Sequence, residues 1–305
     1  MKQINQKLRE TDSKFRALSS LNQIEYEELH PVFDELVSKK MMYYTLKGAP
    51  RAKKSFKEAK NSSLPGSRAK LDFMLMHLKE NANQSYHGCM FEMCQAKVSE
   101  WISFLSPVLE EALKKLGYMP QIGDTYKHRG QEQQGFLLAD VTEREVPRRC
   151  CYQAQQQEYS GKKKRHTIKN FAITDTWGYF LFLSDTYEGA THDKTIWDHL
   201  CIDTYGCNLL VDLGFLGAEK DCPQVILPYK KPKGGKLNEL QKQINRAISQ
   251  IRVRIEHAFS GMKRLKIIRN KIRVKSYDAR ERMIRIAAGL HNLRITFRKP
   301  LIYQS

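Results

Sequence analysis

Three carboxylates stand where they could do chemistry. Asp140 ends the apolar run GFLLA and Asp212 ends the apolar run NLLV, and the tip of a buried strand is where open α/β sheets usually hold their ligands. The competing reading for each is an aspartate that opens a turn. Glu256 lies on a helix whose apolar positions are Ile244, Ile248, Ile251, Ile255, Phe259 and Met262. At about 100° per residue it falls on the flank of that stripe. As a surface ion-pair partner of Arg252 or Lys263 it would contribute under about 1 kcal/mol. Yet it is one of four acids between Lys230 and Lys299, against 21 basic residues, and each acid kept there weakens a hold on polyanion. A metal-binding duty accounts for the exception. If the three converge, they make an all-oxygen site for Mg²⁺ or Mn²⁺. Two such ions about 3.5 to 4 Å apart activate a water or hydroxyl on one side of a phosphodiester and stabilise the leaving oxygen on the other. That is phosphoryl transfer on nucleic acid.

Other side chains belong to the same discussion. The run GKKKRH sets Lys162, Lys163, Lys164, Arg165 and His166 in a row, either to neutralise phosphates or as a solvated loop. Arg252, Lys263 and Arg264 flank Glu256 on the expected helix and would hold phosphates or act as structural ion partners. Trp177 and Trp197 would stack on a flipped base or, in the simpler reading, pack in the core. Asp193, after His192, reads as a helix-start residue suited to the dipole. His257, about 100° around the helix from Glu256, is expected to pack. Asp175 and Asp185 belong to turns. Cys89 and Cys94, with His77 and His87, fit no standard zinc spacing and read as buried or partly buried thiols.

The chain as a whole favours a polyanionic partner. Its 52 Lys plus Arg against 33 Asp plus Glu give a net charge of +19, and nucleic acid leads membrane surface because no lipid-binding amphipathic anchor is visible. The excess is +5 up to Pro120 and +14 after it. No apolar run is long enough for a membrane span or a secretory signal, so the protein is expected to stay in the cytoplasm. Seven cysteines without a Cys-x-x-Cys pair argue against a disulfide framework.

The elements that must position these residues change character near residue 118. Residues 1–118 read as helical, with helices at Leu71–Leu78, Ser85–Met93 and Ala96–Leu113, the last carrying Val98, Trp101, Ile102, Leu105 and Leu109 at helical spacing. This is either a helix-turn-helix that would face Lys97, Ser99 and Glu100 toward a major groove, or a plain three-helix bundle. Gly117 to Gln134 reads as a linker or an irregular first strand. Residues 119–305 then read as short β-type runs, GFLLAD, HTIKNFAIT and YFLFLSDTY, with a DTWG turn, followed by the helical HDKTIWDHL, the strands CNLLVD and VILPY, and a long helix from about Leu237 to Leu265. That order describes a mixed α/β layer.

At this point the chain resembles the DDE transposases of bacterial insertion sequences, in the insertion-sequence-five group related to eukaryotic Harbinger elements. LLADVTEREVPR, YSGKKKRHTIK, GATHDKTIWD, NLLVDLGFLG, LPYKKPKGGKL and NRAISQIRVRIEHAFSGMKRLKII carry the resemblance, in family order. It implies an RNase-H-like catalytic domain over 119–305 with Asp140, Asp212 and Glu256 as catalytic metal ligands. It also implies a helix-turn-helix DNA-end-binding domain over 1–118, which FEMCQAKVSEWISFLSPVL matches more loosely. Further implications are dependence on Mg²⁺, with Mn²⁺ able to substitute and two ions expected. Double-stranded DNA would be the partner, bound at terminal inverted repeats by a homodimer, and insertion would proceed by 3′-hydroxyl attack. Such an enzyme would be associated with the nucleoid, or nuclear in a eukaryote. The alternative is a catalytically silent, transposase-derived DNA-binding protein, and a third reading is a metal-dependent repair nuclease.

Overall fold

The computed structural model describes residues 12–128, 136–274 and 276–298. In chain order the elements are α1 (Asp12–Ser19), α2 (Gln23–Tyr43), α3 (Gly66–Glu80), α4 (Gln84–Met90), α5 (Gln95–Lys115), β1 (Gln121–Gly123), β2 (Thr125–Lys127), β3 (Leu137–Glu145), α6 (Tyr152–Glu158), β4 (Tyr159–Ser160), β5 (Arg165–Thr174), β6 (Phe180–Ser184), β7 (Tyr187–Glu188), α7 (Asp193–Asp198), β8 (Cys201–Asp203), β9 (Leu209–Leu210), α8 (Ala218–Asp221), β10 (Val225–Ile226), α9 (Glu239–Met262), α10 (Lys266–Arg269) and α11 (Tyr277–Arg298). Among the described residues no helix is long and apolar enough to cross a membrane.

Two compact units result. The first runs to Met119 and takes in Lys263–Asn270 and the chain from Val274; the second is Pro120–Met262 with Lys271–Arg273. The first unit is helical. A capping box opens α2, Asn22 accepting from the Glu25 amide and Glu25 from the Asn22 amide, each at 2.8 Å. Helices α4 and α5 are joined by a short turn that folds back onto Gly88, where a β-carbon would collide with the Met93 carbonyl. Helix α11 packs on α5 and α2. Its Gly289 lies against Leu113 and Met119, and its Arg298 guanidinium meets the buried Glu25 at 2.7 Å. Lys263–Asn270 and the chain from Val274 therefore group with the helical unit and not with Pro120–Met262. The apolar and small residues around α11, Ile284, Ala287, Ala288 and Leu290, are all buried in the helical unit.

The second unit is built on a mixed sheet in the order β1-β6-β5-β3-β9-β10, with β4 and β7 pairing on β5 and a separate β2-β8 ladder. Strand β5 runs antiparallel to β3 and β6, whereas β1 is parallel to β6, and β9 is parallel to β3 and β10. The side chains of β3 alternate. Leu137 and Ala139 enter a core with Phe171, Ile196, Trp197, Leu209, Val211 and Phe215. The opposite face of β3 receives α9, whose Ile248, Ile255, Ala258, Phe259 and Met262 are buried. Of the two readings of Gly117 to Gln134, a linker or an irregular first strand, the structure has strand, β1 and β2, while residues 129–134 lie outside the described residues.

Candidate active site

Asp140 and Asp212 are brought together by strand register. β3 and β9 pair as Leu137 with Leu209 and Leu138 with Leu210, an offset of 72 residues, and the two aspartates continue that same offset one pair beyond Ala139 and Val211. Neighbouring strands lie about 4.8 Å apart, so the spacing of these acids in the sequence is the register of the sheet. Pairing stops at Leu210 while β3 continues to Glu145. The end of β9, parallel to β3, is where sheets of this class place ligands. Past Val211 the chain enters a 3-10 turn, Leu213–Phe215, capped by Asp212, whose Oδ1 accepts from the Gly214 amide at 2.8 Å.

The electrostatics agree with that placement. The Asp140 carboxyl is pushed up to about 6. Burial is the largest cause; the Val141 amide, donating to Oδ1 at 2.7 Å, and the charge of Arg252 oppose it, and the negative charges of Asp212 and Asp193 add to it. Arg252 approaches Asp140 Oδ2 at 3.7 Å, an ion pair longer than a hydrogen bond. Its buried Nε has no hydrogen-bond partner, so the guanidinium retains a donor inside the site.

A further carboxylate, Asp193, joins Asp140 and Asp212. Asp193 lies in the first turn of α7, the cap position being His192. Its Oδ1 is 3.0 Å from Lys169 Nζ, which also donates to the Thr191 carbonyl at 2.7 Å and faces Glu143 at 3.7 Å. A β-carbon on Gly214 would sit 2.9 Å from Asp212 Oδ1 and 3.2 Å from Asp193 Oδ2. The two carboxylates therefore border the same small space, which any larger residue at position 214 would fill. Asp193 thus does more than open a helix. A lysine on a strand whose other residues from Thr167 to Thr174 are buried is the sequence signal that such a counter-charge was required.

Glu256 is exposed on α9, one turn beyond Arg252 and on the same flank, and among the described residues no three His, Cys, Asp or Glu side chains cluster closely enough to hold a metal ion. The oxygen-only chemistry of Asp140 and Asp212 fits a hard divalent cation.

The expected DNA contacts are placed variously. Lys162, Lys163 and Lys164 are exposed on the turn between β4 and β5, and Arg165 and the half-buried His166 begin β5, Arg165 pairing with Glu145 at 2.8 Å. Lys263 and Arg264 are not on the helix of Glu256. That helix stops at Met262, and the turn that follows lets Leu265, Ile267 and Ile268 bury with the helical unit. Lys97 is exposed at the start of α5 and paired with Glu100 at 2.9 Å, with Ser99 half-buried beside it. Trp197 is a core residue, and Trp177 is partly exposed under the Arg254 guanidinium. His257 is exposed rather than packed, as are Cys89 and Cys94, while His77 and His87 are buried.

Comparison with known proteins places this geometry in a class. Residues 139–292, half of the chain and all three acids, match the DDE superfamily endonuclease family, and the chain belongs to that family. It is similar to a protein described as a probable transposase for insertion sequence element IS702, from Microchaete diplosiphon. The two are 26% identical over 169 residues, covering 54% of this chain and 59% of that relative, so the chain spans less than two thirds of the relative's length. No solved structure matches it.

Proposed function

We propose that the protein is a DNA transposase of an insertion sequence, which cuts at the element's terminal inverted repeats and joins the freed ends to target DNA. The observation that carries this reading is the pair Asp140 and Asp212, each two residues past the last paired residues of β3 and β9 and close enough for the charge of Asp212 to act on Asp140, in an endonuclease-family chain. The sheet order, with β5 reversed between β3 and β6, supports an RNase-H-like catalytic unit. The short turn between α4 and α5 supports a helix-turn-helix in the helical unit. Cytoplasmic DNA bound by a homodimer completes the reading.

In this mechanism Asp140, Asp212 and Glu256 from α9 would hold divalent metal, magnesium or manganese in its place, which when bound would supply activation of the attacking water or 3′-hydroxyl and stabilisation of the leaving oxygen. Asp140, with its carboxyl near 6, is ionised at neutral pH and gives up little proton affinity on binding a cation. Arg252 offers its guanidinium to the scissile or flanking phosphate. Lys169 fixes Asp193, and Asp193 limits the space into which Asp212 can turn. Lys162–Lys164 offer charge to the duplex backbone.

The test is cleavage and joining of DNA carrying the element's ends, in the presence of Mg²⁺. Asp140→Ala, Asp212→Ala and Glu256→Ala should each abolish both steps and keep DNA binding; full activity in any one of them removes that residue from the site. A second reading, a silent DNA-binding descendant, is favoured by the ion pair of Arg252 with Asp140 and by the exposure of Glu256. Joined product from the wild-type chain excludes it, and excludes a repair nuclease that cuts without joining.

A further inference from the structure

Between Lys39 and Lys60 the chain carries eight cations and one acid, and the structure disposes of the acid. Glu58 Oε1 accepts from the buried Lys70 Nζ at 2.5 Å, and Oε2 accepts from the Gly66 amide at 2.7 Å. Lys40 also turns inward, donating to the Phe104 carbonyl at 2.8 Å and lying over its ring. Lys47, Lys53, Lys54 and Lys57 are exposed and Arg51 is half-buried. The charges left at this surface are all positive, set among the exposed Met42, Tyr43, Tyr44 and Phe56.

It is also built rather than loose. At the end of α2 the chain makes a tight turn. The Thr45 amide donates to the Ala49 carbonyl at 2.8 Å, the Gly48 amide to the Thr45 carbonyl at 2.9 Å, and the Arg51 amide to the Tyr43 carbonyl at 2.7 Å. Gly48 takes a φ of +83° there, a conformation that costs glycine little. Arg51 Nε donates to the Met41 carbonyl at 2.9 Å and the Tyr44 carbonyl at 3.2 Å, and the guanidinium lies 5.1 Å from the centre of the exposed Phe56 ring. Lys54 stands 5.7 Å over the exposed Tyr43 ring. Cations anchored on aromatic faces lose less freedom when they meet a ligand.

We propose that residues 39–60 form a second DNA-binding surface, on the helical unit, that grips the phosphate backbone of the duplex. The proposal rests on the DNA-processing reading above and names where that unit holds its substrate. Duplex DNA presents a charge about every 1.7 Å, which suits a surface whose one acid has been withdrawn. A membrane surface suits it less, because the Phe56 and Tyr43 rings lie under cations and the segment from Arg51 to Pro65 is not helical, leaving no apolar helix face there to insert. The Glu100 carboxyl is held below the usual carboxylate range, first by its hydrogen bond from Lys97 and also by the charge of Lys47. The turn thus adjoins the start of α5, where Lys97 and Ser99 sit.

The experiment is titration of the full chain with a labelled random-sequence duplex over a range of salt. Replacing Lys47, Lys53, Lys54 and Lys57 by Gln should reduce the slope of log affinity against log salt by about 3 to 4, at about 0.9 per phosphate contact. In the unmutated chain, acylation of these lysines should fall several-fold when the duplex is added. An unchanged slope with undiminished acylation overturns the proposal, as does binding to phosphatidylserine vesicles without binding to duplex. If the four-lysine variant binds like wild type while Asp140→Ala abolishes cleavage, the inference alone falls. If the wild type neither binds nor cuts DNA, the functional reading falls with it.

Discussion

Replacing Asp140 by Asn should stabilise the protein, although it removes a charge beside an arginine. The carboxyl rises from its ordinary 3.8 to about 6 because burial and the charges of Asp212 and Asp193 outweigh the Val141 amide and Arg252. At 1.36 kcal/mol per tenfold change in proton affinity, the ionised side chain costs the fold about 3 kcal/mol. With a fifth of the side chain open to water, 21%, about 2 kcal/mol is the working figure. The sign follows from linkage. Between the unfolded and folded pKa values the folded state binds more protons, so wild-type stability falls as pH rises from about 4 to about 6 and then levels. Asn has no proton to lose. Urea unfolding of both chains in chelator should show no difference at pH 4 and Asp140→Asn more stable by about 2 kcal/mol at pH 7 to 8. A difference that is absent at pH 7, reversed, or independent of pH refutes the placement of Asp140 in a buried acid group.

Two further variants separate chemistry from stability. Glu256→Gln alters an exposed side chain and should change unfolding free energy by no more than about 0.5 kcal/mol while abolishing metal-dependent cleavage; loss of stability in parallel with activity would mean a structural acid. Lys169→Met leaves the carboxylates of Asp193 and Glu143 without their shared cation, 3.0 and 3.7 Å away. It should cost about 3 kcal/mol by thermal or urea unfolding, and an effect below about 1 kcal/mol would show that the lysine is dispensable.

Much of the site can be read before folding, for physical reasons. Apolar runs that stop at an aspartate mark where a strand gives out: β9 stops at Leu210, just before Val211 and Asp212, whereas Asp140, expected at a strand tip, lies inside β3, which runs on to Glu145. The helical phase of Glu256 against Ile255 and Phe259 foretells its exposed flank. What cannot be read is register, since the offset of 72 becomes meaningful only when β9 is found beside β3. Asp193 was hidden by its suitability as a helix-start residue; its partner Lys169 lies 24 positions away across the turn of the sheet. Nor does an unbroken sequence reveal where a chain changes partners. The Ala287-Ala288-Gly289 segment of α11, small on adjoining faces, signals close packing on several sides, yet that the packing is against Leu113 and Met119 is a property of the fold alone.

The central claim is that Asp140 and Asp212 share a divalent cation. Calorimetric titration with Mn²⁺ tests it without DNA: the wild-type chain should bind the ion, and Asp140→Asn and Asp212→Asn should each lower the affinity at least tenfold, about 1.4 kcal/mol. Equal binding by all three proteins would contradict the account.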